Sequence, residues 1–432
     1  MNPSRRRLLL AGSAAALGVG CSRQSEGPVL RVSWWGGAAR HEATLKAVAA
    51  FQQQNPGLRI KSEYMGFNGY LERLTTQIAG GSEPDVMQIN WAWLAMFSKR
   101  GKGFTDLRQY AKHLALDQFL PDDVRSGEVN GLLNALPVSY TARILLWNQA
   151  AFQRVGLGLP KTWDDIFAAG PVFREKAGDR AYALDGEPYD MLLLSQTYVQ
   201  QLHGMPFVDP ATQRVAMTME AALDWVRTYK RLSSNHVATP LPLRASLGGA
   251  DKPTEQQPDW VVGRWAGNHT WDSSIGLRQS TLDKQQQLAL GDFPLLPDAK
   301  ASGMFGRPTL MFAVGRNTKQ AETAARLVNY LTTDPEAALI LGRTRGVPAV
   351  QRQRQVLMDA KKLPALELQA HEQISAQRRA GRIPLPAPLF EHARLQRFMR
   401  EVFETVAYGK TSDEDAAQRL IKEGQAMLQR IK

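Results

Sequence analysis

The chain has one cysteine, Cys21, in 432 residues. No internal disulfide can form, and no thiolate cluster can hold a metal. Outside the N-terminus no stretch is long or apolar enough to be a transmembrane helix. Catalytic signatures are equally scarce. "HEATL" and "HEQIS" begin like a zinc-protease motif, but Leu45 and Ser375 stand where a second histidine is needed. No Gly-x-Ser-x-Gly turn occurs, so a hydrolase of that type is unsupported. "GKT" at Gly409 to Thr411 imitates a phosphate loop, yet Glu404 occupies the first glycine position and no strand precedes it. The seven histidines are scattered. Two adjacent acid pairs, Asp122/Asp123 and Asp164/Asp165, are the carboxylates a glycosidase would need. Neighbours in sequence rarely converge on one substrate, and a helix start explains the second pair better.

What remains is an ordinary globular composition, 44% hydrophobic and 22% charged, in a chain too long for one compact core. Two lobes with an extra segment suit this length. The formal charge is +12, of which Arg5, Arg6 and Arg7 account for three. Such a balance suits an anionic partner and equally a solvated surface. The start, "MNPSRRRLLLAGSAAALGVGC", is basic, then apolar from Leu8 to Gly20 with small residues near its end. That is a secretory signal, too short to span a bilayer as a stable helix. "SRRRLL" also resembles a twin-arginine export signal. Cys21 closes the apolar run and resembles a lipoprotein acylation site, although Leu17 lies four residues before it where the usual leucine lies three before. The expected location is therefore outside the cytoplasm, either free in the periplasm or anchored as a lipoprotein.

After the polar linker Ser22 to Gly27, strand-like and helix-like segments alternate. "VLRVSWW" reads as a strand, and "HEATLKAVAAFQQQNPG" as a helix stopped at Asn55-Pro56-Gly57. "LRIKSEYM" is a strand, "GYLERLTTQIAGGSEP" a helix, and "DVMQINW" a third strand. This order predicts a parallel sheet wound by right-handed crossovers. The pattern changes in "NALPVSYTARILLWN", where Pro137 interrupts an extended segment, as where a chain crosses between lobes. "LPKTWDDIFAAG" opens a helix with Thr162 as N-cap and Asp164 and Asp165 in the first turn. A mostly helical region runs to about Leu232. Thr239 to Gln257 reads as a loop, "DWVVGRWAGN" as extended, and "FPLLPDAKASGMFGRPTLMFAVG" as an edge strand, a loop and a return strand. Two helices meet at Asp334-Pro335, and the tail from Gln351 is helical and charged. There is no internal repeat.

Four stretches then resemble a known family. They are "GGSEPDVMQINWAWLAMFSKRG", "LPVSYTARILLWNQAAFQRVGLGLPKTWDDI" with its Pro-x-Thr-Trp helix start, "VVGRWAGNHTW" and "AARLVNYLTTDPEA". In this order, after an export signal, they resemble the extracellular solute-binding proteins of ABC importers, in the group that binds oligosaccharides. "SWWGGAARHEATL" and "YLERLTTQIAGGSEPDVMQINW" are similar, more narrowly, to binders of acidic oligogalacturonides. The resemblance implies an α/β, two-lobe periplasmic-binding-protein-like fold with hinge strands and a ligand cleft between the lobes. Its domains are a signal at 1–21, lobe 1 at 28–137 with about 306–350 returning to it, lobe 2 at 138–305, and a helical segment at 351–432 packing mainly on lobe 2. It implies an oligosaccharide ligand, permease membrane subunits as partners and a monomer. It implies no cofactor, no metal, no nucleic acid and no catalytic residue.

The resemblance also gives a reason for two tryptophans and two glycines after the first strand. Ligands sit beyond the carboxyl ends of strands in open α/β sheets, and aromatic faces cover the flat C–H faces of pyranose rings at low entropic cost. Trp34 and Trp35 are then expected in the site, with Gly36 and Gly37 leaving space for a sugar ring and backbone donors. Arg40 and His41 follow, where capping the helix is the other role open to them. Asn90, Trp91 and Trp93 end the third strand, and one of these tryptophans in the core is the alternative. Tyr140 and Arg143 follow the crossing, where hinge structure is the alternative. Trp265, Asn268, His269 and Trp271 form a second aromatic loop or, failing that, packed lobe core. Phe305 and Arg307 lie on the return or in a plain turn. Trp147, Trp163 and Trp225 belong to the core. Arginines matter if the sugar is a uronate, because a guanidinium matches a carboxylate with two parallel hydrogen bonds. Two other functions stay open at this point: an exported polysaccharide-degrading enzyme, glycosidase or uronate lyase, and a binder of another anion such as a phosphorylated polyol.

Overall fold

The structure, a computed structural model, describes residues 29–249, 252–299 and 301–431. The export signal and Cys21 lie outside the described residues. Among the described residues there are eleven strands: β1 (Val29–Trp35), β2 (Arg59–Met65), β3 (Val86–Asn90), β4 (Glu128–Val129), β5 (Leu132–Leu133), β6 (Ala135–Pro137), β7 (Tyr140–Asn148), β8 (Gly267–Trp271), β9 (Leu288–Leu290), β10 (Gly306–Pro308) and β11 (Leu310–Val314).

Alternation along β1 builds lobe 1. Leu30, Val32 and Trp34 are buried on one sheet face, under the helix Ala38–Gln53, which contributes Ala43, Ala47 and Phe51 to the same cluster. Trp35 points to the other face, where Tyr70 and Leu74 of the helix Tyr70–Ala79 cover it together with Met87 and Ile89 of β3. The sheet order is β2-β1-β3-β11-β6, with β1 parallel to β2 and β3, and β11 antiparallel to β3 and β6. The expected parallel pairing therefore holds for the first three strands, and two late strands complete the sheet.

Lobe 2 is organised on β7, whose nine residues are all buried. It pairs with β10 through its first residues, then with β8 and β9. Around it stand the helices Trp163–Ala177, Pro188–His203 and Met219–Ser234, and against these pack Ala393–Ala407 and Asp413–Ile431. Thr162 caps the first of them as expected: its hydroxyl accepts from Asp165 N (3.1 Å), and the Asp165 carboxylate accepts from Thr162 N (2.9 Å). Asp334 caps the helix Pro335–Leu341 at the predicted break.

Three segments cross between the lobes side by side. Val138 N donates to Leu310 O (2.8 Å), Thr309 N to Ser139 O (3.0 Å), and Ala349 N to Val138 O (2.9 Å).

The structure differs from the sequence reading in two places and sharpens it in two more. Gly306–Pro308 pairs with β7, so the return to lobe 1, expected at about 306, falls at Thr309. Of the tail expected mainly on lobe 2, the helix Gln351–Asp359 packs on lobe 1 helices. "DWVVGRWAGN" is not extended throughout: Pro258 starts a helical turn to Val261, because proline suits a first helical position, and β8 begins only at Gly267. The loop from Thr239 to Gln257 contains the short helix Leu241–Ser246, again with a proline in its first turn. Among the described residues no helix is long and apolar enough to cross a membrane.

Candidate functional site

The crossing segments form the base of a cleft of about 590 Å³ between the lobes. From lobe 1 it is lined by Trp35, Arg40, Phe67, Asn90 and the stretch Arg343 to Val347. From the crossings come Ser139, Tyr140, Thr141 and Thr309, and from the other side Asp272, Ser273, Gly276, Leu277, Arg307 and Glu367.

The two tryptophans of β1 take different roles because neighbouring residues on a strand point to opposite faces. Trp34 is wholly buried, stacked on Tyr64 at 5.1 Å, and its indole N–H donates to His41 Nδ1 (3.1 Å). Both Trp34 and His41 are thereby withdrawn from the cleft into the helix–strand contact. Trp35 lines the cleft at the edge of an aromatic cluster with Phe67, Tyr70 and Trp93, at ring separations of 5.0 to 5.8 Å. Gly36 makes room for an arginine rather than for a sugar. A Cβ there would lie 2.5 Å from Arg40 Cδ, so only glycine lets that side chain fold back over the strand end. Gly37 is the N-cap of the helix Ala38–Gln53 and does not line the cleft.

Arg40 donates to the carbonyls of Thr344 (2.8 Å) and Trp35 (3.0 Å). Beside it Arg345 is buried and donates to Gln88 Oε1 (2.7 Å) and Thr44 Oγ1 (2.9 Å), while its Nη1 has no hydrogen-bond partner. Neither guanidinium has a carboxylate partner among the described residues. Burial, helped by the charge of Arg40, pushes Arg345 down to about 9, and burial also lowers Arg40. Two desolvated cations without an anion are costly, and a bound carboxylate would relieve both. The other cleft arginines are already neutralised: Arg343 pairs with Glu367 and Arg307 with Glu391. Asp272 accepts from Thr141 Oγ1 and from Ala142 N (3.2 Å), and burial pushes its carboxyl up to about 6.

Five of the residues singled out from sequence line the cleft: Trp35, Arg40, Asn90, Tyr140 and Arg307. The others lie elsewhere. Trp91 is 2% exposed and its indole N–H donates to Ser126 O (3.0 Å). Trp93 is half-buried against Trp35, one layer behind the wall. Trp265 and Asn268 are wholly buried, Trp265 in the lobe 2 core and Asn268 accepting from Arg278 Nε (3.0 Å). His269 is buried as well, and desolvation lowers it to about 3. Arg143 pairs with Asp190 inside lobe 2. Trp271 is held between the guanidinia of Arg143 (4.4 Å) and Arg307 (5.0 Å) and touches Phe305 at 5.8 Å, so it supports the wall from behind. Alternation explains the error: Asp272, one residue on, is the one that reaches the cleft.

Phe67, Arg345 and Asp272 were missed. Phe67 follows β2 as Trp35 ends β1, and it is 58% exposed. An exposed aromatic after "YMG" at a strand end was the available signal. Arg345, far along the chain in a turn after the late helices, gave no local signal.

Several solved structures are similar over almost the whole chain. A periplasmic oligogalacturonide binding protein from Yersinia enterocolitica is 36% identical, covering 93% of this chain and 99% of that one, with a TM-score of 0.85. Its complex with saturated digalacturonic acid superposes with a TM-score of 0.77. A de novo designed cysteine esterase is 36% identical with a TM-score of 0.88, covering 93% and 98%. Among curated proteins, the multiple sugar-binding protein of Streptococcus mutans is 22% identical over 209 residues, 44% of this chain and 46% of that protein. The chain spans between 34% and 46% of the length of the curated relatives it matches. With two lobes on either side of a cleft, and with residues 37–338 matching the bacterial extracellular solute-binding proteins, this chain belongs to that family.

Proposed function

We propose that the protein captures a short acidic oligosaccharide, of the oligogalacturonide type, and presents it to the membrane permease of an ABC importer. One observation carries the acidic part: Arg40 and Arg345 lie side by side in the cleft without a carboxylate, next to the aromatic surface of Trp35 and Phe67. A uronate brings a flat ring face for the aromatics and a carboxylate for the guanidinia. The name of the Yersinia neighbour, and the digalacturonic acid bound in its complex, support the same ligand class. Asn90, Tyr140, Thr141, Thr309 and Asp272 supply hydrogen-bonding groups for ring hydroxyls. The protein works as an exported monomer, with Cys21 as the point of lipid attachment, and binds its sugar without turning it over.

The test is calorimetry on the mature protein with digalacturonic acid and with the neutral galactose disaccharide. The acidic ligand should bind more tightly, and its affinity should fall as salt rises. Equal affinities would sink the acidic reading. Incubation with polygalacturonate should release no reducing ends or unsaturated product, and release of either would favour the enzyme instead.

A further inference from the structure

The helix Ala365–Arg379 packs its apolar residues Ala370 and Ile374 into the lobe 2 core. Both its ends, however, are tied to lobe 1. In its first turn Glu367 pairs with Arg343, which follows the lobe 1 helix Pro335–Leu341. In its last turn Arg378 pairs with Asp123 at 2.7 Å, and Asp123 lies on the helix Pro121–Ser126, packed against β6. The two ties are 11 residues apart, about 16 Å along the axis.

The ends differ in kind. Glu367 and Arg343 both line the cleft, and their side chains are 12% and 40% exposed. Asp123 is 0% and Arg378 5% exposed, and the Arg378 guanidinium covers the Tyr140 ring at 3.7 Å. Tyr140 is the first residue of β7 after the crossing, and β6 is the last strand before it. The buried pair therefore spans the crossing itself. Arg354, which donates to the Pro348 carbonyl of the third crossing (2.8 Å), also feels the Asp123 charge. Rotation about a hinge moves atoms least near its axis, so a buried pair there can stay intact while an exposed pair at the cleft must stretch or exchange.

We propose that this helix is an inter-lobe clamp: Asp123–Arg378 is the pivot that holds the lobes in register and positions Tyr140, and Glu367–Arg343 is the releasable end, whose arginine a ligand carboxylate takes over. The release half rests on the acidic-ligand reading; the pivot half does not. Buried ion pairs contribute little net stability and are best attested as devices of registry.

The experiment measures inter-lobe distances by pulsed electron resonance. Spin labels go on cysteines replacing the exposed Glu42 and Glu220, in a chain with Cys21→Ser. Two variants are compared with wild type, each without ligand and with digalacturonic acid. Removing one partner of the buried pair would leave an unpaired charge and a folding defect. The double variant Asp123→Leu/Arg378→Met avoids that and should keep its melting temperature. Its unliganded distance distribution should nevertheless broaden, and with only about a tenth of molecules in register, affinity should fall about tenfold. Glu367→Gln should lengthen the mean distance with little change in melting, and raise digalacturonate affinity by up to about fivefold, the upper range of a pair exposed on its arginine side. A distribution that coincides with wild type in either variant overturns the clamp. Failure of the wild type to bind digalacturonic acid would remove the proposed ligand but leave the unliganded distance test of the pivot unaffected.

Discussion

Trp34 and Trp35 stand next to each other, yet a substitution at each should report on a different property. Trp35→Ala removes an aromatic surface from the cleft and should weaken sugar binding by about 1–3 kcal/mol, the scale of one large side chain's burial. Trp34→Ala opens a cavity under the helix Ala38–Gln53 and should cost about 3–5 kcal/mol of stability, with affinity of the folded fraction little changed. Calorimetry and denaturant unfolding on both variants separate the two, and matching losses of affinity would contradict the placement. Asp272 makes a further prediction, through pH. Its folded carboxyl titrates at about 6 and the free side chain at 3.8, so between these values the native state holds a proton that the unfolded chain has released. Stability from this group is therefore lost as pH rises from about 4 to about 6, and the penalty is complete above that. Asp272→Asn should gain about 1–3 kcal/mol over wild type at pH 7.5, and much less at pH 4. Urea unfolding at the two pH values checks it, and a gain independent of pH would mean that Asp272 is not held near 6. At this scale sequence legibility was partial. The strand end carrying Trp35 and Asn90 was readable because strand ends point at ligands in this class of sheet, but which of two adjacent aromatics turns inward depends on register. Arg345 was invisible, since its burial is made by Thr44 and Gln88, about 300 and 260 residues away in sequence.

Elements were easier to read than residues wherever the chain carries its own start and stop signals. Asn55-Pro56-Gly57, the Thr162 capping box and Asp334-Pro335 all fall at real boundaries, because caps and prolines act through local hydrogen bonds and torsions. "DWVVGRWAGN" misled for a related reason. Its β-branched and aromatic residues suit a strand, but Pro258 begins a helical turn, Val262 is exposed, and Trp265 is buried in the core with only an isolated bridge to Tyr182. The β10 boundary was misplaced because three residues carry no periodicity of their own, and only pairing with β7 assigns them to lobe 2. The capping box can be tested alone. Thr162→Ala should cost about 1 kcal/mol of stability, within the range of 0.5–2 for such caps, and leave ligand affinity unchanged. Loss of affinity without loss of stability would show that the helix Trp163–Ala177 couples to the cleft.

On the scale of the whole molecule, the three crossing segments decide what motion is available. They are joined to one another by backbone hydrogen bonds, from Val138 to Leu310, Ser139 to Thr309 and Val138 to Ala349, so they must bend together. Proline fixes one torsion at Pro137, and the rotation has to be absorbed by the residues from Val138 to Tyr140 and by Thr309. On the proposed reading, a ligand held by Trp35, Arg40 and Arg345 on one side would gain additional contacts with Tyr140, Asp272 and Arg307 only as the lobes approach. Such contacts, made better in the closed form, are what can shift the population. An importer would also need a shape that differs between loaded and empty protein, and closure would provide it. Saturating digalacturonic acid should therefore reduce the radius of gyration measured by X-ray scattering. It should also shift or quench tryptophan fluorescence, since Trp35 would exchange water for a sugar face. The neutral disaccharide, lacking the carboxylate for Arg40 and Arg345, should produce less compaction at equal occupancy. Scattering curves that superimpose with and without a ligand shown by calorimetry to be bound would mean that the cleft is rigid. The crossings would then serve only as a scaffold for the site, and the permease would have to read the ligand itself rather than the shape of the protein around it.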